Sequence, residues 1–263
     1  MQGKLVTAVR LSEVETQQTG QQLLAKIKAE KAQLIADKKL KKEKPLPVIT
    51  EEEIPFEIPE HWSWCKLGEI CYTSGRIGWK GLSAAEYQKS GPLFLSVHSL
   101  NYGDYVDYSK AFHITKERFD ESPEIMLQND DILICKDGAG IGKLGIIKNL
   151  NESASINSSL LLIRKNQCLN TKFVYFFFLS SHFQKIVQER IMGATTPHLY
   201  QRDIVGFPFA LPPLHEQEQI VAKLEELMAF CDGLEQSIKE SEGYNEMLLQ
   251  QVLREALQPK EKV

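Results

Sequence analysis

From Ile220 onward, apolar residues recur in steps of four and three: Ile220, Leu224, Leu227, Cys231, Leu234 and Ile238. After the polar Ser241 and Asn245 the pattern resumes at Leu248 and Val252. This spacing predicts one long helix carrying a heptad seam. A lone helix cannot bury such a seam against itself, so it needs a partner helix from this chain or another. Gly233 and Gly243 each cost roughly 1 kcal/mol in a helix interior. They are the places where the helix is expected to kink or break.

Upstream, Leu23, Leu24, Ile27, Leu34 and Ile35 share one side of a helix expected from Gln21 to about Lys42. It ends in the charge run Lys38–Lys44, read first as a solvated helix end that suits the helix dipole and second as a phosphate contact. Pro45, Pro47, Pro55 and Pro59 around the run Glu51–Glu53 make an extended linker. A globular head begins near Pro59, with Trp62 and Trp64 entering its core. Strand-like runs lie at 64–70, 93–97, 131–135, 144–147 and 158–163. Ser83-Ala-Ala-Glu86 is a capping box for a short helix. Thr171 is expected to cap a longer helix to about Arg190. Its run Phe173–Leu179 is aromatic on every face, which marks core rather than a base-stacking surface. The whole reads as α+β, a head of mostly antiparallel strands plus a long C-terminal helix of coiled-coil type.

A hydrophobic content of 43% supports a packed core. No apolar run reaches the ~18 residues of a membrane span. The start, Met1-Gln2-Gly3-Lys4, lacks the pattern of a signal peptide. The five cysteines are scattered, with no CxxC pair, so structural zinc and a disulfide framework are not expected and a cytoplasmic location fits best. Net charge is −4, concentrated in the tail: residues 216–257 hold ten acidic and three basic residues. Residues 60–215 hold sixteen basic and fifteen acidic. A near-neutral head binds nucleic acid only through a local patch, or beside a basic partner.

Gly140-Ile-Gly-Lys-Leu-Gly145 spells GxGxxG, but a dinucleotide site needs a helix after it. Ile146-Ile147-Lys148 reads as strand instead, so the segment is a glycine-rich hairpin. With Lys136 and Lys143 at its ends it can approach a DNA backbone. The chain has no Gly-Lys-Ser/Thr phosphate loop, no HExxH and no paired His/Asp cluster, so neither cofactor nor metal is expected. Two loops look built for contact. In Gly75–Gly81, glycines frame Arg76, Trp79 and Lys80, so the backbone can come close while the cations reach phosphate or guanine. In Gly193–Arg202, Thr195, Thr196, His198, Tyr200, Gln201 and Arg202 supply hydroxyl, amide and cationic donors. Each loop is equally compatible with an ordinary connection, the second leading into a short helix that ends near Val205.

The residues also resemble a known family. Leu211-Pro-Pro-Leu-His-Glu-Gln-Glu-Gln-Ile-Val221, followed by Leu224–Glu235, is similar to the conserved region of type I restriction–modification specificity subunits. So are Leu127–Gly138, Ser155–Ser159, Gly193-Ala-Thr-Thr and the opening segment Ile58–Ile70. The resemblance covers roughly 20–257. It implies an N-terminal helix and linker at 1–58, a target-recognition domain at 59–212 and a spacer helix at 213–258. It implies a subunit that reads DNA and catalyses nothing. Its partners would be double-stranded DNA, methyltransferase subunits holding S-adenosylmethionine, and restriction subunits. On this reading Arg76 and Arg202 are candidates for guanine and Gln201 for adenine. Ile220, Leu224, Leu227, Cys231, Leu234, Ile238, Leu248 and Val252 are the interface to another subunit or to a second copy. The family usually carries two recognition domains and two spacer helices, whereas this chain has one of each. It is then either a C-terminal half or a half-subunit that works as a pair, two antiparallel helices restoring the missing half by twofold symmetry. The alternative is a coiled-coil scaffolding protein that never touches DNA.

Overall fold

The computed structural model describes residues 18–38, 40, 45–75, 82–100, 103–192 and 198–257. The chain divides into two units, Met1–Glu218 and Gln219–Val263.

The first unit opens with α1 (Gly20–Ala36). Thr19 caps it: its Oγ1 accepts from the Gln22 N–H at 3.2 Å, and Gln22 Oε1 accepts from the Thr19 N–H at 2.9 Å. Leu23 and Ile27 are buried, while Leu34 is exposed. The helix stops six residues short of the Lys42 expected from sequence. Lys38 adopts φ +58°, a left-handed conformation that no α-helix continues through. The rest of the lysine run, 39 and 41–44, lies outside the described residues.

Next come β1 (Ser63–Lys66), α2 (Leu67–Ile70) and β2 (Cys71–Gly75). The sequence pattern suggested one strand over 64–70. The chain turns helical because the Glu69 carboxylate accepts the Lys66 N–H at 2.7 Å, and the turn buries both Leu67 and Ile70. The head continues with β3 (Gln88–Leu95), β4 (Phe112–His113), α3 (Lys116–Asp120), β5 (Ile132–Cys135), β6 (Leu144–Ile146), β7 (Ala154–Ile156) and β8 (Leu160–Lys165). Ser83 and Glu86 form the expected capping box, on a single 3-10 turn over Ala84–Glu86. β2, β4 and β7 had no hydrophobic alternation strong enough to announce them.

A four-stranded antiparallel sheet runs β2–β8–β5–β6. A second sheet places β3 between antiparallel β4 and parallel β7. Leu93, Leu95, Leu133, Ile156, Leu160 and Leu162 interleave between them as one buried cluster. The architecture is α+β, with antiparallel pairing dominant.

Residues 171–190 form two helices, α4 (Thr171–Leu179) and α5 (Ser181–Met192). The cap is Asn170, whose Oδ1 accepts the Phe173 N–H at 3.0 Å, rather than Thr171. The break is Ser180, at ψ 147°. Its hydroxyl donates to the Phe177 carbonyl at 2.6 Å and accepts from the Phe183 N–H at 3.4 Å, ending one helix and starting the next. Phe173 through Phe178 are buried as the aromatic run predicts, with Leu179 exposed. The ring of Phe177 lies 4.6 Å from Phe209, and that of Phe178 lies 4.8 Å from Phe183.

The head closes with α6 (Gln201–Val205) and β9 (Pro208–Leu211), which pairs antiparallel with β1. The final helix α7 (Leu214–Leu257) begins here. Its first turn is tied down by the His215-Glu216-Gln217 motif. The Glu216 carboxylate accepts from Trp62 Nε1 at 2.8 Å and pairs with His61 Nε2 at 2.6 Å. Gln217, 0% exposed, accepts the Asn170 N–H at 2.9 Å and donates to the Pro212 carbonyl at 3.0 Å.

Within the second unit α7 is helical through both Gly233 and Gly243, so the break considered from sequence does not occur. Exposed side chains bridge successive turns, with Lys239–Glu235 at 2.6 Å and Lys223–Glu226 at 2.8 Å. The seam residues Leu234 (49%) and Ile238 (59%) are exposed. So are Leu227, Cys231, Leu248 and Val252. Ile220, at the start of this unit, is 2% exposed. Among the described residues, no helix is long and apolar enough to cross a membrane.

Candidate nucleic-acid interface

The sheet strand β5 ends at Cys135, and the chain turns back to β6 through Lys136–Lys143. This turn is the glycine-rich segment. Gly138 and Gly142 take φ +74° and +84°, conformations that side-chain-bearing residues rarely adopt. A Cβ on Gly142 would also meet Val187 of α5 at 2.7 Å, so glycine lets the turn rest on that helix. β6 follows rather than a helix, so no N-terminus is aimed at a pyrophosphate and the fingerprint carries no dinucleotide site.

Lys136 and Lys143 are the first and last residues of the turn, and the Cys135 N–H donates to the Lys143 carbonyl at 2.8 Å. Lys143 is exposed. Lys136 is mostly covered, its ammonium 3.1 Å from the Asp137 carboxylate. The next segment to arrive is His198–Tyr200. Leu199 donates its N–H to the Lys136 carbonyl at 2.8 Å, Asp137 and His198 form a β-bridge, and the His198 ring pairs with the Asp137 carboxylate. The hairpin end and the start of α6 are therefore one continuous surface.

Tyr200 is the centre of that surface, 43% exposed. The Arg202 guanidinium sits 4.6 Å from its ring centroid and that of Arg190 5.7 Å, while the His198 ring meets it edge-on at 4.4 Å. Asp203 organises the group. It accepts the Tyr200 N–H at 3.0 Å as helix cap and holds Arg190 Nη2 at 2.7 Å. Lys136, Lys143, Arg190 and Arg202 against Asp137 and Asp203 leave a positive excess, the local patch that a near-neutral head needs. Such a surface can hold phosphate through its cations and offer an aromatic face to a sugar or base.

Of the residues singled out from sequence, the structure brings together Lys136, Lys143, His198, Tyr200, Gln201 and Arg202. Arg76, Trp79, Lys80, Thr195 and Thr196 lie outside the described residues. Gly75, the last described residue before the first loop, is beside the patch: a Cβ there would lie 3.8 Å from Lys136 Cε. Gln201 does not stand as an adenine reader. Its Nε2 donates to both the carbonyl and the hydroxyl of Thr73 at 2.9 Å each, which removes the donor that a bidentate adenine contact requires. Sequence reasoning missed Arg190, Asp137 and Asp203. The Arg190–Asp203 and Asp137–His198 pairs span thirteen and sixty-one residues of chain, for which periodicity holds no signal. Among the described residues, no cluster of His, Cys, Asp or Glu could hold a metal ion.

Comparison with known proteins decides the family. The model of the type I restriction modification DNA specificity domain matches residues 59–241. The chain belongs to this family. Among curated type I specificity subunits, that of EcoAI from Escherichia coli is 30% identical over 237 residues, covering 88% of this chain and 39% of that protein. The EcoEI specificity subunit, also from Escherichia coli, is 24% identical over 257 residues, covering 91% and 40%. The chain thus spans about two-fifths of the length of these relatives. Two solved structures share the fold. One, a chain from work on complex assembly and conformational transition of the type I R-M system, superposes with a TM-score of 0.60 at 20% identity, covering 94% of this chain and 55% of the other. The other is the HsdS subunit from Thermoanaerobacter tengcongensis, with a TM-score of 0.55 at 20% identity, covering 94% and 54%. The family match spans β1 to the middle of α7, so the specificity domain includes the Lys136–Arg202 patch and the first turns of the long helix.

Proposed function

We propose that this chain reads DNA sequence for a type I restriction–modification complex in the cytoplasm, recognising one half of a bipartite site. The observation that carries the reading is the specificity-domain match over 59–241 on a chain whose head bears the Lys143–Tyr200–Arg202 patch. The division of labour we propose is an N-terminal helix and linker at 1–58, the recognition domain at 59–212 and a spacer helix at 213–258. The chain binds and positions but catalyses nothing. Methyltransferase and restriction subunits, docked through the spacer, supply the chemistry. DNA contacts are assigned to Lys136, Lys143, His198, Tyr200 and Arg202, with Arg190 added, and to Arg76, Trp79, Lys80, Thr195 and Thr196 on the two loops. Leu224, Leu227, Cys231, Leu234, Ile238, Leu248 and Val252 form the helical interface, to another subunit or to a second copy.

The test is the methylation of genomic DNA in cells carrying this chain with the methyltransferase genes of its own system, read by single-molecule sequencing. The expected result is a split methylated motif that disappears when this chain is deleted. Arg202→Ala should then either relax one guanine position or weaken all sites evenly, the latter marking a phosphate contact. A soluble complex that methylates no split motif would sink the proposal.

A further inference from the structure

The segment Leu199–Gln201 is pinned at both ends. On one side Leu199 donates its N–H to the Lys136 carbonyl at 2.8 Å. On the other, Gln201 reaches into the sheet and places Nε2 2.9 Å from both the carbonyl oxygen and Oγ1 of Thr73. An amide nitrogen has two hydrogens, so both are satisfied inside the protein. Tyr200, exposed, lies between the two pins. Thr73 is in the middle of β2, two residues before Gly75, and is 3% exposed. No DNA can touch its side chain.

We propose that Gln201 and Thr73 are a positioning pair for sequence recognition: Gln201 does not contact a base but locks the start of α6 to β2. The lock holds Tyr200 and Arg202 in register with Lys136 and Lys143 on the neighbouring hairpin. The inference rests on the DNA-recognition reading above and deepens it. A buried threonine thereby governs specificity without approaching the DNA. Discrimination depends on placing donors to within a fraction of an ångström, so loosening one pin costs selectivity before it costs folding.

The test compares wild type with Thr73→Val, Thr73→Ser and Gln201→Met in the same methylation assay. Thermal unfolding of each chain is measured alongside. Valine is isosteric with threonine but accepts nothing; serine keeps the hydroxyl. Thr73→Ala replaces Thr73→Val if the valine hinders folding. Losing one neutral hydrogen bond is worth about 1 kcal/mol, or roughly fivefold in an equilibrium. We expect Thr73→Val, which loses the hydroxyl bond, to raise methylation of single-mismatch sites relative to the cognate site by about fivefold, and Gln201→Met, which loses the carbonyl bond as well, to raise it by at least as much. The double variant should do no more than Gln201→Met alone, and Thr73→Ser should behave as wild type. A motif as sharp as wild type in Thr73→Val, with Gln201→Met degraded, would overturn the role given to the Thr73 side chain, because its carbonyl alone would then hold Gln201. Equal loss at cognate and mismatched sites would overturn it as well, leaving a purely structural bond. No split motif from the wild-type chain would instead bring down the DNA-recognition reading, and this proposal with it.

Discussion

Replacing Gln217 by leucine tests how the first turn of α7 is held. The side chain is fully buried, so leucine of similar volume keeps the packing and removes only the polar contacts. Two hydrogen bonds disappear, one from the Asn170 N–H at 2.9 Å and one to the Pro212 carbonyl at 3.0 Å. Each is worth about 1 kcal/mol net, and each partner left buried and unpaired adds a desolvation penalty of about 1–3 kcal/mol. Asn170 is half-buried and regains some solvent, whereas Pro212 is buried, so a total near 3 kcal/mol is expected. Asn170 also caps α4, so the damage should reach the Phe173 end of the aromatic cluster. For a folded unit of this size, about 3 kcal/mol lowers the thermal midpoint by roughly 6–12 °C. The assay is thermal unfolding followed by circular dichroism. Gln217→Met, also apolar and of similar volume, serves as control and should lose about as much. A Gln217→Leu midpoint within about 2 °C of wild type would refute the reasoning, since less than about 1 kcal/mol would then reside in the pair.

Two further outcomes follow from exposure and burial. Burial beside Phe56 and Phe207, together with nearby Lys185, lowers the pKa of His182 below the ordinary histidine value. A depressed histidine binds fewer protons folded than unfolded, so its contribution is full above the unfolded value of about 6.5 and is lost as pH falls through that value toward the folded one. His182→Phe should therefore flatten the fall in thermal midpoint between about pH 7 and pH 5; an unchanged slope would assign it to other groups. On the long helix, Leu234→Glu with Ile238→Glu should abolish association through the seam, as read by analytical ultracentrifugation alone and with the methyltransferase subunits. Because both side chains are exposed in the chain itself, its own unfolding should shift by less than about 0.5 kcal/mol per site; association as strong as wild type would remove the seam from the interface.

The parts of this protein that local rules govern could be read from residues alone. A seam repeating every three and four residues has no other use than a long helix, and Ile220–Val252 formed one. Burial on every face of Phe173–Phe178 follows from an aromatic run that no solvent-exposed helix would carry. The glycine-rich turn was separable from a dinucleotide site because the residues after Gly145 suit a strand. Some features were local but carried no hydrophobic pattern: one strand over 64–70 became strand and helix because the Glu69 carboxylate captured a backbone N–H three residues back, and one helix over 171–190 became two because Ser180 bonded residues three away on either side. Tertiary contacts decided the rest. β2, β4 and β7 exist because a partner strand pairs with their backbones, which their side chains do not announce. The same holds for the candidate interface. Lysine, tyrosine and arginine in glycine-bearing loops were visible as donors, but whether a donor is free depends on what the fold places beside it. Gln201 looked like a base reader until Thr73, 128 residues away, accepted both its hydrogens. Arg190 had no local signal at all until Asp203 and Tyr200 held it at the patch. Periodicity reports which face a residue occupies; only the folded chain reports which of its hydrogen-bonding groups remain for a partner.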